Sequence, residues 1–236
     1  MVRPVPTDAP LKVYRHELKF FLSPMEHRLL LEIFSQTMRL DAHAGPDKHY
    51  WIRSLYFDTV ENDDYYEKVI GVSTRKKIRL RIYDRGQNSV KLEIKNRRNQ
   101  YMMKETAFLT REEAERLIRG ERGFLLQKGH PALSRVFYLM TMNCYRPAVL
   151  IDYRRTAFLI PFQNIRVTFD TDLRASTSDF DLFSHTTGLV PVFDTDTVVL
   201  EVKYHKFLPP TIRSVLSHCH ASRQAISKYC LSRIVF

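Results

Sequence analysis

The sequence predicts an α+β protein: a closed antiparallel β-barrel, or tunnel, with a polar basic lumen and helices packed on the outside. Three observations carry that expectation. Segments 12–21, 50–58, 75–84, 89–96, 101–109, 148–160, 164–170 and 195–204 alternate apolar and polar residues with the period of two of a half-buried strand. Helical signals are few, and neither a strand–helix–strand alternation nor an internal repeat is found, which favours antiparallel pairing. Finally, cations collect on one face of several of these strands.

In chain order, the opening MVRPVPTDAPL holds three prolines and no apolar run, so residues 1–11 read as a flexible arm rather than a signal peptide. Residues 12–236 are expected to form a single domain, because no Ser/Gly-rich linker or change of composition divides them. Ser23-Pro24-Met25-Glu26 combines an N-cap serine, proline at the first helical position and glutamate three after the cap. With Leu30, Ile33, Phe34 and Met38 at helical spacing, it predicts a helix over about 24–39. Thr110-Arg111-Glu112-Glu113 and His130-Pro131 announce two shorter helices. Pro209-Pro210 stops a strand, and the apolar spacing beyond it predicts a broken helical pair. Gly71, Asp84-Arg85-Gly86 and Asn96-Arg97-Arg98-Asn99 supply turns.

At 236 residues and 44% hydrophobic, the chain can bury a substantial core. Its 37 Lys+Arg against 26 Asp+Glu give a net charge of +11, which points to an acidic partner: nucleic acid, anionic lipid or a phosphorylated metabolite. Composition does not choose among them. No segment approaches the ~18 apolar residues of a membrane span. Cys144, Cys219 and Cys230 are odd in number and lack metal-ligand spacing, which suggests reduced thiols and a cytoplasmic protein.

Residues i, i+2 and i+4 of a strand share a face, so the placement of the cations decides the reading. In 77–83, Lys77, Arg79, Arg81 and Tyr83 lie opposite Ile78, Leu80 and Ile82. Lys91, Glu93 and Lys95 lie opposite Leu92 and Ile94, and Arg15, Glu17 and Lys19 opposite Leu18 and Phe20. Glu201 and Lys203 lie opposite Leu200 and Val202. A solvated face would account for any one of these strands. Together they stack like charges that need a compensating anion, because adjacent like charges destabilise a sheet. If the sheet curls so that the charged faces converge, the summed field suits a linear polyanion such as a chain of phosphates. The apolar faces would then point outward, beneath the helices. Each glutamate of the three Glu-x-Lys pairs, Glu17, Glu93 and Glu201, can order its lysine or ligate a divalent metal bridging to phosphate; the metal role is favoured for Glu201 and ion pairing for the other two.

Tyr14-Arg15-His16-Glu17-Leu18-Lys19-Phe20, Ser54-Leu55-Tyr56-Phe57-Asp58-Thr59, Arg79-Leu80-Arg81, Glu93-Ile94-Lys95, Lys104-Glu105, Tyr153-Arg154-Arg155-Thr156, Arg166-Val167-Thr168-Phe169-Asp170, Leu200-Glu201-Val202-Lys203 and Ser227-Lys228-Tyr229 occur in that order. In this order they resemble the triphosphate tunnel metalloenzymes, or CYTH-like superfamily. More closely, the chain resembles the VTC domain, the polyphosphate polymerase domain of the vacuolar transporter chaperone family. The resemblance implies a tunnel in which Arg15, Lys19, Arg79, Arg81, Lys91, Lys95, Lys104 and Lys203 bind phosphate. Arg155, Arg166, Ser227 and Lys228 would serve catalysis, and Glu201 would hold a divalent ion, Mn²⁺ or Mg²⁺. The implied reaction passes the terminal phosphoryl of ATP to a polyphosphate chain. A triphosphatase and a non-catalytic polyphosphate or nucleotide sensor are the alternatives. Tunnel triphosphatases often begin with Glu-x-Glu-x-Lys; Arg15 in place of the first glutamate favours the VTC branch. Eukaryotic relatives of that branch carry transmembrane helices that this sequence does not contain, so a separate membrane protein partner, holding the chain peripherally at a membrane, is expected. No specific nucleic acid is.

The paired histidines His43/His49 and His218/His220 have neither strand context nor nearby carboxylates that would make a ligand set, and read as surface or packing residues. Trp51 reads as outer core, and Tyr65-Tyr66 as part of a helix packed on the barrel rather than a nucleotide-binding pair.

Overall fold

The computed structural model describes residues 16–99, 101–161, 164–193, 196–217 and 224–236; the expected arm and Arg15 lie outside the described residues. The first half comprises β1 (His16–Leu22), α1 (Pro24–Thr37), β2 (Arg39–Leu40), β3 (Tyr50–Asp58), α2 (Asp63–Val69), β4 (Thr74–Ile82), β5 (Ser89–Arg98) and β6 (Tyr101–Thr110). The second comprises α3 (Arg111–Ile118), α4 (Phe124–Gln127), α5 (Pro131–Met142), β7 (Arg146–Ile160), β8 (Ile165–Ser176), β9 (Val190–Pro191), β10 (Val198–Tyr204), α6 (Pro210–Ser217) and α7 (Lys228–Ile234).

Local chemistry sets the boundaries. Ser23 accepts from the Glu26 backbone N–H at 3.3 Å while the Glu26 carboxylate accepts from the Ser23 N–H at 2.9 Å, so α1 starts where its capping box predicts. Thr110 and Glu113 do the same for α3. Two short helices stop at glycine. Gly71 follows α2 at φ +81°, and the Val72 N–H reaches back to the Glu67 carbonyl at 2.9 Å. Gly120 follows α3 at φ +93°, with the Glu121 N–H on the Arg116 carbonyl at 2.9 Å. A side chain at either glycine would strain that left-handed turn.

All strands pair antiparallel in one 10-stranded sheet of order β1-β10-β8-β7-β3-β4-β5-β6, with β2 and β9 appended to β7 and β8. The expected closed barrel does not form: among the described residues β1 and β6 are edges and are not paired with each other. The sheet nonetheless curls until side chains from β1, β3, β4, β5, β7 and β10 line one cavity.

The period-two faces are sorted as the sequence requires. Ile78, Leu80, Ile82, Leu92 and Ile94 belong to a core on the outer surface, roofed by Leu117 of α3 and by Leu133, Val136 and Met140 of α5. Phe20, Leu200 and Val202 belong to a second outer core, covered by Leu30 and Phe34 of α1 and by Ile212 and Leu216 of α6. Each such side chain contributes on the order of 1.5–3 kcal/mol on burial. A third core departs from the expectation. It gathers Tyr56, Val149, Ile151 and Tyr153 around Tyr229 and Cys230 of α7. Tyr56, Tyr153 and Tyr229 also line the cavity, so α7 packs on the inner side of the curl rather than outside it.

Trp51 packs against the first outer core, and Tyr65 and Tyr66 lie within α2, as the sequence suggested. Beside Trp51, buried Arg53 holds Asp152 through two bonds of 2.7 and 2.8 Å and donates to the Ser184 carbonyl at 2.7 Å, fastening the loop before β9. Among the described residues no helix is long and apolar enough to cross a membrane.

Candidate functional site: a cation-lined cavity

The curl borders a half-open cavity of about 660 Å³. Twelve Lys and Arg side chains line it, against two carboxylates, Glu17 and Glu201. Strand parity explains this density. Arg75, Lys77, Arg79 and Arg81 occupy alternate positions of β4, and all four reach the cavity. Cross-strand register then sets Arg75 opposite Arg97, Lys77 opposite Lys95, Arg79 opposite Glu93 and Arg81 opposite Lys91.

Arg79 and Arg81 are held in place from several sides. Arg79 donates to Glu93 at 2.7 Å and to the Tyr56 hydroxyl at 2.8 Å, and Arg81 donates to Ser54 at 3.0 Å and to the Tyr153 hydroxyl at 3.1 Å. Burial disfavours ionisation of Glu93, yet Arg79, Arg81 and Lys104 outweigh it and hold the carboxyl well below the usual range. Burial likewise opposes the Tyr56 phenolate, but Arg79, Arg81 and Lys77 bring that hydroxyl down to about 8.

Across the cavity, β1 and β10 contribute a square of alternating charge. Register places Glu17 opposite Lys203 and Lys19 opposite Glu201. Lys19 Nζ lies 3.5 Å from Glu17 and 3.4 Å from Glu201, and Lys203 Nζ lies 3.6 and 2.7 Å from the same two carboxylates. Burial works against the Glu17 charge, but Lys19, Lys203 and Lys95 prevail and hold its carboxyl down at about 2. Burial also depresses Lys19 and Lys203, each to about 8, with Lys228 adding to both. Lys95 is depressed well below the ordinary lysine value, first by Arg79 and then by burial. The cavity thus holds more positive charge than its own carboxylates balance.

The C-terminal segment seals one side. The Gln224 N–H donates to the Lys19 carbonyl at 3.0 Å, along the outer edge of β1. Lys19 Nζ donates to the Ile226 carbonyl at 3.1 Å and Lys68 Nζ to the Ala225 carbonyl at 3.3 Å. Ser227, the N-cap of α7, accepts from Lys77 Nζ at 2.8 Å. Lys228 reaches Asp170, and Tyr229 donates its hydroxyl to Asp58. Asp58 is buried and also accepts from the backbone N–H groups of Thr59, Asp64 and Tyr65, so one carboxylate ties the start of α2 to α7.

Of the candidate phosphate ligands, Lys19, Arg79, Arg81, Lys95 and Lys203 line the cavity; Arg15 lies outside the described residues. Lys91 stands outside the lining, with its ammonium 4.7 Å from the centre of the Tyr83 ring. Lys104, opposite Lys95 on edge strand β6 and so on the same face of the sheet, pairs with Glu93 and stands outside the lining. Among the candidate catalytic residues, Arg155, Ser227 and Lys228 line the cavity. Arg166 does not; it donates to Asp41 at 2.5 Å and to the Tyr50 hydroxyl at 2.9 Å. Glu201, the candidate metal ligand, lines the cavity paired to two lysines, while Glu17 and Glu93 are ion-paired.

Lys77 and Asp170 were not selected from sequence. Lys77 carried a usable signal, its parity with Arg79. Asp170 did not, because its importance comes from a cross-strand partner, Arg155, fifteen positions away.

A curled antiparallel sheet that turns a ladder of cations toward one shared cavity is the architecture of the triphosphate tunnel, or CYTH-like, class. Within that class the chain belongs to the VTC domain family, whose model matches residues 14–236. Among solved structures it is similar to a candidate adenylyl cyclase from Hippeastrum that is described as having a dominant triphosphatase activity. That protein shares 14% identity over 93% of this chain and 95% of its own, with a TM-score of 0.55. A candidate adenylate cyclase from Vibrio parahaemolyticus shares 12% identity over 93% of this chain and 97% of its own, with a TM-score of 0.50. No curated protein matches the chain at a significant level.

Proposed function

We propose that the protein is a divalent-metal-dependent polyphosphate polymerase, which moves the terminal phosphoryl of ATP onto a polyphosphate chain inside the cavity. The observation that carries this reading is the imbalance of the wall: twelve cations against two carboxylates. Phosphoryl transfer suits such a wall, because it needs alignment of the reacting oxygens and neutralisation of charge more than a protein nucleophile. A terminal oxygen of the acceptor chain attacks the γ-phosphorus of ATP, the bond from that phosphorus to the β–γ bridging oxygen breaks, and ADP leaves. Arg79 and Arg81, fixed by Tyr56, Ser54 and Tyr153, hold the chain in line. Arg155 and Lys228, both beside Tyr153, supply further positive charge, and Asp170 fixes both.

Among the described residues no three His, Cys, Asp or Glu gather as a metal cage. Glu17 and Glu201 fit a divalent ion in another way, since a hard cation such as Mg²⁺ takes one or two carboxylates and completes its shell with substrate phosphates and water. A bound ion would neutralise charge on the transferring phosphoryl group.

Incubation of the pure protein with ATP and Mn²⁺ or Mg²⁺ is expected to yield ADP and an acid-labile phosphate polymer. Triphosphate hydrolysis is the second reading, favoured by the activity ascribed to the Hippeastrum neighbour. Orthophosphate release from tripolyphosphate far exceeding polymer synthesis would select it. Phosphate binding with neither product, under any divalent metal, would leave a sensor.

A further inference from the structure

At the outer end of the cavity wall, Arg75 and Arg97 stand directly opposite each other on β4 and β5, and both line the cavity. Like charges placed opposite in a sheet repel, and they persist where an anion is recruited. Among the described residues neither arginine forms an ion pair. Arg75 donates to the Val72 carbonyl at 2.6 Å and Arg97 to the Asn99 carbonyl at 2.7 Å, which leaves most of the five N–H donors of each fork unused. The arrangement differs from the next rung but one, where Arg79 faces a carboxylate, Glu93.

The ladder is also longer than a triphosphate. Arg75, Lys77, Arg79 and Arg81 are spaced two residues apart, so the rungs lie about 7 Å apart and the ladder spans about 20 Å. A tripolyphosphate, with only two bridging oxygens, is used up on the inner rungs. We propose that Arg75 and Arg97 form an outer phosphate subsite that selects long polyphosphate chains over tripolyphosphate and nucleoside triphosphates. The subsite rests on the reading of the cavity as a phosphate-chain site.

Calorimetric titration of wild type, Arg75→Ala/Arg97→Ala and Arg98→Ala, with tripolyphosphate and with a polyphosphate several times longer, tests this. Arg98 is the control, because it is exposed at the same end of β5 but does not line the cavity. The double variant is expected to lose about tenfold in affinity for the long chain and to keep its tripolyphosphate affinity within about twofold, while Arg98→Ala changes neither. Equal loss for both ligands, no loss, or the same loss in Arg98→Ala would overturn the subsite. If the double variant fails to melt cooperatively, Arg75→Gln and Arg97→Gln are read singly by the same criteria. Wild-type protein that binds no tripolyphosphate would instead defeat the broader phosphate reading.

Discussion

Lys228 Nζ stands 2.5 Å from Asp170 Oδ2, on the carboxylate that Arg155 already grips with bonds of 2.6 and 2.7 Å. Burial opposes the charge of Asp170, but Arg155 and Lys228 outweigh it and keep the carboxyl far below its usual range. Asp170→Asn therefore strands two cations in a nearly dry site, and a loss of about 3–5 kcal/mol in denaturant-unfolding stability is expected. The folded variant should bind tripolyphosphate more tightly, since the competing carboxylate is gone. A fall in affinity at unchanged stability would contradict this account.

Arg81→Ala is expected to weaken tripolyphosphate binding by about 1.5–3 kcal/mol, the range of a hydrogen bond to a charged group. Arg79→Ala would also strip buried Glu93 of its 2.7 Å partner, so its effect is best read in a Glu93→Gln background. Calorimetry showing wild-type affinity in both variants would mean that β4 does not grip the ligand.

Glu201→Gln and Glu17→Gln take negative charge from a cationic wall. Tripolyphosphate binding without metal should persist or strengthen, whereas turnover with Mn²⁺ or Mg²⁺ should fall at least about a hundredfold if these carboxylates hold the ion. Retained turnover together with an unchanged metal optimum would remove them as ligands.

Lys19 and Lys203 lose their protons near pH 8 in the free protein, and bound phosphates draw those protons back. Binding at pH 8 should therefore take up protons, seen as a dependence of calorimetric heat on buffer ionisation enthalpy, and affinity should decline from pH 7 to 9. The stability of the free protein moves the other way. With folded values near 8, below the ordinary 10.5, the unfolded chain holds more protons between the two, so the contribution of these lysines to stability rises with pH across that window. Proton release on binding would reverse the assignment.

Much of this was legible in local sequence. The strand over 50–58 and the helix start at Pro24 follow from alternation and a capping box, and both are found. The parity of Lys77, Arg79 and Arg81 foretold which face turns inward. Relations between distant segments were not legible. Nothing near Lys104 says that it bends onto Glu93, nor does anything near Tyr229 show that its hydroxyl meets Asp58, 171 positions away. The inward seat of α7 was hidden for a related reason. Val149 and Ile151 on the inner face of β7 look like any buried strand until the helix that covers them is known to come from the far end of the chain.

The β1 and β6 edges, unpaired among the described residues, have a mechanical meaning. A closed barrel has a girth fixed by its strand number and shear, and widening it requires breaking ladder bonds. This wall has a slit instead, bridged on the β1 side by the Gln224 N–H and by the Lys19 ammonium on the Ile226 carbonyl. Releasing that short stitch would break two hydrogen bonds and no pairing between strands of the sheet.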